Sequence, residues 1–209
     1  GIYDAGTGTT NCYKNQVYNL TGNNANQTLY GFYITTGTSN NVYNNFVSDL
    51  KAPNSTSLTG LVGMYVSGGT AIGLYYNTIY LNATSVGANF TVSGIYASTT
   101  PTVDLRNNVV VNASTPNGTG FAIAYRRNST TLTSYAAASN NNDFYAGTPS
   151  ASNLIFYDGT NALQTIGDYK TFVSPRDGNS ISENPPFVNV TTAPYNLHIN
   201  TSIATQLES

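Results

Sequence analysis

Nine carboxylates, one histidine and one cysteine are the groups in this chain able to carry acid–base, nucleophilic or metal chemistry. Hydrolysis of a glycosidic bond needs two or three carboxylates around one sugar ring. Here Asp49, Asp104, Asp143, Asp158, Asp168 and Asp177 are dispersed, and no two acids lie within four residues of each other. A hydrolytic site would have to form by convergence of distant segments. Asp104 and Arg106 stand two apart on one strand face and read as a surface ion pair. A lone histidine, His198, cannot make a multi-histidine metal centre. A lone cysteine, Cys12, rules out an internal disulfide and a cysteine-based zinc site, and reads as a small buried residue. Neither a Gly-x-Ser-x-Gly nucleophile turn nor a Gly-Gly-x-Gly-x-Asp calcium repeat occurs. The sequence assigns no catalytic residue, no metal and no cofactor.

Tyrosine is the more informative side chain, with 17 copies against eight Phe and no Trp. A tetrad recurs four times: Gly1-Ile2-Tyr3-Asp4, Gly31-Phe32-Tyr33-Ile34, Gly63-Met64-Tyr65-Val66 and Gly94-Ile95-Tyr96-Ala97, at steps of 30, 32 and 31 residues. In an extended strand, alternate side chains face opposite ways. Ile2, Phe32, Met64 and Ile95 are expected to face inward, which turns Tyr3, Tyr33, Tyr65 and Tyr96 outward on successive repeats. A second outward column is read as Tyr18, Val47, Tyr80, Val110 and Tyr145. Exposed tyrosine columns can stack on sugar rings or centre a protein contact. The binding candidates are therefore Tyr3, Tyr33, Tyr65, Tyr96, Tyr18 and Tyr80. The plainer alternative is that stacked tyrosines only brace the sheet through neighbour pairs, or lie under a loop.

The elements that must position these residues follow from a second motif, an Asn flanked two residues away on each side by apolar side chains. It places Asn15, Asn44, Asn77, Asn107 and Asn142 in one row, as an asparagine ladder, with Val17, Phe46, Ile79, Val109 and Phe144 as an apolar column beside it. Each repeat also holds a polar stretch of variable length (22–28, 52–59, 84–89 and 113–118). Three short strands, tight turns and one variable loop per repeat predict an all-β, right-handed parallel β-helix. It has about five rungs of roughly 31 residues over 1–165, and a closing segment of the same domain over 166–209. A β-sandwich would accept the short strands but not the period. The next two tetrad slots are read as Gly120-Phe121-Ala122-Ile123 and Asn153-Leu154-Ile155-Phe156. Pro185-Pro186 ends regular pairing, and the tail is expected to cover the open end of the rod.

Only 8% of residues are charged while 40% are apolar, and the net charge is −2. Seven Lys and Arg give no electrostatic footprint for nucleic acid. The basic pair Arg126-Arg127 reads as a solvated turn. No apolar run approaches membrane-spanning length. Ten Asn-x-Ser/Thr triplets occur, but composition alone yields roughly seven by chance, so they receive no role. Opening on a tetrad in mid-repeat is expected of a piece of a larger parent polypeptide.

The tail carries a resemblance. Asn179-Ser180-Ile181-Ser182, then Pro186-Phe187-Val188, then Tyr195-Asn196-Leu197-His198-Ile199 before Ser202-Ile203-Ala204 resembles the closing segment of right-handed parallel β-helix repeat regions in very large, secreted bacterial surface proteins. These are commonly of the kind exported by type IX secretion. The resemblance implies an extracellular or cell-surface location and a structural or adhesive module whose partner is a glycan or a surface protein. Two alternatives stand beside it: a polysaccharide lyase or glycoside hydrolase with carboxylates converging across rungs, and a self-assembling fibre subunit.

Overall fold

The computed structural model describes residues 1–208, Glu208 by its backbone alone. Three parallel sheets wind as a β-solenoid of about five turns. The chain is a parallel β-helix. The first sheet contains Ile2–Asp4, Leu29–Ile34, Leu61–Val66, Val92–Ala97, Ala122–Arg127 and Asn153–Tyr157, each paired in parallel with the next. The second stacks Thr9–Tyr13, Ser39–Tyr43, Ala71–Tyr75 and Thr102–Arg106. The third stacks Gln16–Val17, Phe46–Ser48, Thr78–Leu81, Val109–Asn112 and Asp143–Tyr145. Alternation fills the interior with one apolar column per sheet face. Ile2, Phe32, Met64, Ile95, Tyr125 and Phe156 are in mutual register, and all but half-buried Ile2 are fully enclosed. Burying each such side chain contributes about 1.5–3 kcal/mol. The tetrad glycines mark where the first sheet passes closest to the third. A Cβ on Gly63 would lie 2.6 Å from the Gly94 carbonyl oxygen and 2.7 Å from Ile79 Cγ2.

The asparagine ladder exists, but in a different register. Its members are Asn15, Asn45, Asn77, Asn108 and Asn142, each Nδ2 donating to the next Oδ1 at 2.9–3.0 Å. Asn44 and Asn107 are corrected from ladder members to turn residues. With Lys14, Tyr76 and Asn141 they hold φ between +53° and +58°, immediately before each ladder Asn. A left-handed residue costs least when it is Gly or Asn, so in Asn44-Asn45 and Asn107-Asn108 the first amide makes the bend and the second makes the ladder.

That bend also resets the alternation. Residues two before and two after a ladder Asn do not share a face. Tyr13, Tyr43, Tyr75 and Arg106 therefore point out, while Val17, Val47, Ile79, Val110 and Phe144 form the inner column. Phe46 and Val109, expected inside, face outward and are half-buried; Val47 and Val110, expected outside, are enclosed.

The next two tetrads are likewise shifted. Ala124-Tyr125-Arg126-Arg127 continues Gly94-Ile95-Tyr96-Ala97, and Ile155-Phe156-Tyr157 follows it. Arg126-Arg127 thus lies in a strand, not a turn. Arg127 points inward at 2% exposure, its guanidinium bonded to Tyr125 Oη, Thr131 O and Ser134 Oγ.

The closing segment has two parts. Helix α1 (Ile166–Val173) starts at Thr165, whose Oγ1 accepts from Asp168 N and donates to the Asp168 carboxylate. It seals one end of the core with Tyr169 against Phe144 and Phe156. The antiparallel hairpin of Phe187–Asn189 and Asn196–Ile199 then turns back along the side of the rod. There it packs Phe187 and Leu197 on Tyr80 and Val111 of the third sheet. Covering the end was expected; covering the flank was not.

The corrected ladder register makes opposite predictions for adjacent asparagines. Asn77→Ala deprives Asn45 N and Nδ2 of their shared acceptor and Val42 O of its donor, and should cost about 3–5 kcal/mol in denaturant unfolding. Asn44→Gly, at a left-handed bend, should change stability by less than about 1 kcal/mol.

Candidate functional site

Tyr3, Tyr33, Tyr65 and Tyr96 form the outward column expected on the first sheet. Their ring centroids are 5.5, 5.3 and 4.8 Å apart in turn, and the last two pairs are stacked at 11° and 20°. Tyr30 packs on Tyr33 at 4.7 Å and on Tyr65 at 5.4 Å. Arg126 continues the column, its guanidinium 4.4 Å from the Tyr96 ring centroid and its Nη1 donating to Leu58 O. Exposure falls from 66% at Tyr3 to 8% at Tyr96. Burial, then the neighbouring phenols, raises the Tyr65 hydroxyl above the usual tyrosine range. Because the rings from Tyr33 to Tyr96 lie face to face, a ligand running along that part of the column meets edges and hydroxyls rather than open π-faces.

The second sheet carries a parallel device that the misplaced Asn frame concealed. Tyr13 and Tyr43 stack at 4.9 Å and 6°, Tyr75 follows in register, and Arg106 lies 5.8 Å from the Tyr75 ring. Arg106 pairs with Asp104 at 2.5 Å, the ion pair read from sequence, and Tyr75 Oη donates to the same carboxylate. Counting two residues back from the true ladder Asn would have found this row.

The expected third-sheet column is divided by the hairpin. Tyr80 is covered, with Phe187 and Tyr195 meeting its ring at 79° and 81°, and burial raises its hydroxyl. Tyr18 is 47% exposed and, among the described residues, touches no other ring. It lines a cleft of about 390 Å³ between the third sheet and the hairpin, together with Gln16, Phe46, Ser48, Tyr195 and His198, among others. His198 stands edge-on to Phe46 at 5.1 Å, with Nδ1 2.6 Å from Asn196 Oδ1. Among the described residues, no acid, lysine or arginine lines the cleft.

Comparison with family models, characterised proteins and solved structures gave no match. The site must be read from its own geometry.

The carboxylates hold the fold together. Asp4 accepts from Gly6 N, Thr10 and Asn40; Asp49 pairs with Lys51; Asp158 closes the turn to Asn161; Glu183 accepts from Thr205 and Gln206 N. Asp177 is fully enclosed, its Oδ1 taking Asn142 Nδ2 and Ser180 Oγ and its Oδ2 taking the phenols of Tyr135 and Tyr169. Among the described residues, no three His, Cys, Asp or Glu side chains gather as a metal-binding group. Cys12 is half-buried beside the core rather than fully enclosed, and burial followed by the Asp4 charge raises its thiol.

Asp143 is the exceptional acid. It points out of the third sheet but lies under the closing segment, where Oδ1 accepts from Glu183 N and Oδ2 has no partner. Burial first, then the Glu183 charge, pushes its carboxyl up to about 8. Below the ordinary carboxylate range, near 4, both native and unfolded chains are protonated and its contribution is fully present. As pH rises from there to about 8, the unfolded chain ionises and the native one does not, so stability falls. Asp143→Asn removes that titration. The variant should gain at least about 3 °C in Tm over the parent at pH 8 relative to pH 4; an advantage independent of pH would contradict the assignment.

Proposed function

We propose that this chain is a non-enzymatic, extracellular β-helix module of a larger cell-surface protein, serving as a rigid spacer with an adhesive face. The observation that carries the reading is how its polar and aromatic side chains are used. The asparagine ladder and both tyrosine columns join rung to rung, and every carboxylate whose side chain is described binds a neighbour of its own fold. Such a scaffold resists bending because each rung is tied to two others along several parallel rows. The extracellular placement rests on the resemblance of the Asn179–Ala204 segment to closing segments of secreted surface proteins. A polysaccharide-cleaving enzyme would need two carboxylates turned toward one groove, and the engagement of each acid counts against it. A fibre built by end-to-end rung stacking needs both ends open, and α1 covers one. Incubation with neutral and acidic polysaccharides should release neither new reducing ends nor unsaturated products. The appearance of either would overturn the reading.

A further inference from the structure

We propose that the cleft between the third sheet and the hairpin binds an uncharged saccharide, with a sugar ring seated on Tyr18. This deepens the adhesive reading and rests on it. Of the six tyrosines singled out in the sequence, Tyr18 alone makes no contact with another ring among the described residues, so its π-face is free of aromatic neighbours. In the first-sheet column the ring faces from Tyr33 to Tyr96 are taken by one another and by Arg126, leaving Tyr3, tilted at 60° to Tyr33, as that column's open end and not part of this cleft.

The polar groups around Tyr18 point the same way. Ser48 lines the cleft at 4% exposure, and its hydroxyl has no hydrogen-bond partner among the described residues. The Gln16 amide and His198 Nε2 are also without partners there. Ser48 Oγ is open to the cleft rather than sealed in the core, so a ligand rich in hydroxyls can take the place of water on it. Among the described residues no acid, lysine or arginine belongs to the lining, which selects against carboxylated or phosphorylated ligands. Aromatic faces with amide and hydroxyl groups match the apolar CH face and hydroxyl rim of a neutral pyranose. At about 390 Å³ the cleft falls within the range of small-molecule sites. Its walls are firm: Tyr195 Oη accepts from Asn82 Nδ2, and Phe187 and Leu197 anchor the hairpin.

The test is a ¹⁵N NMR titration of the intact chain with gluco-, manno- and galacto-configured neutral oligosaccharides, and with oligogalacturonate for comparison. Shifts should gather at 16–18, 46–48 and 195–198 with at least one neutral series. Tyr18→Ala should weaken that binding roughly tenfold, and Ser48→Ala should weaken it several-fold. Tyr76→Ala, an exposed tyrosine outside this cleft, should leave it unchanged. Tyr18 is exposed and unstacked, so the variant should keep the parent Tm, which separates lost binding from lost fold. Absence of shifts with every neutral sugar, binding only of the acidic oligomer, or full binding by Tyr18→Ala would overturn the proposal. Neutral sugar bound at another face would overturn this site and leave the adhesive reading standing. Cleavage of the sugar would sink that reading itself.

Discussion

One hydrogen-bond pattern fixes everything else in this rod. Each interior ladder asparagine uses both Nδ2 hydrogens and accepts twice at Oδ1, and in doing so touches three rungs. Asn77 Nδ2 reaches back to Val42 O and forward to Asn108 Oδ1, while its own Oδ1 takes the backbone N and Nδ2 of Asn45. A buried amide is stable only when fully satisfied, and here satisfaction requires neighbours above and below in one register. At the far end Ser180 Oγ and Asp177 Oδ1 replace the missing asparagine, receiving Asn142 N and Nδ2. The ladder ends on groups of the right kind instead of stopping at an unpaired amide.

Once that row is fixed, the rest follows by counting. Three residues before each ladder Asn comes an inward side chain, and two before it an outward one. The left-handed bend intervenes, and two residues after the Asn the chain faces inward again. The outward rows become aromatic, and in both cases an arginine takes the place of tyrosine at the fourth or fifth rung, Arg106 after Tyr75 and Arg126 after Tyr96. The guanidinium sits over the last ring, 4.4 Å from the Tyr96 centroid and 5.8 Å from that of Tyr75, and keeps donors for nearby carbonyls or acids. The tyrosine columns are therefore mainly cohesive. Accessible aromatic surface is left where stacking is incomplete, at Tyr3 and at Tyr18.

The period, the parallel solenoid and the presence of an asparagine ladder were all legible in the sequence, because tetrad glycines and recurring amides impose a one-dimensional repeat. The register was not. Asn44-Asn45 and Asn107-Asn108 each offer two amides, and a flanking rule that assumes unbroken alternation selects the first. A residue at positive φ is invisible to such a rule. The fifth tetrad escaped for a related reason: Ala124 stands where glycine is expected and Arg126 where tyrosine is expected. The cleft lay beyond reach altogether, since it depends on the hairpin folding back along the flank to bring Tyr195 and His198 beside Tyr18. Only the isolated tyrosine could be named from the repeat.

The central claim is that Asn45, Asn77 and Asn108, and not their neighbours Asn44 and Asn107, hold the rungs together. Side-chain amide hydrogen exchange, followed residue by residue by NMR, tests it most directly. The account predicts Nδ2 protons at Asn45, Asn77 and Asn108 that exchange only with opening of the rod, beside fast exchange at Asn44 and Asn107. Slow exchange at Asn44 and Asn107 with fast exchange at the other three would contradict it.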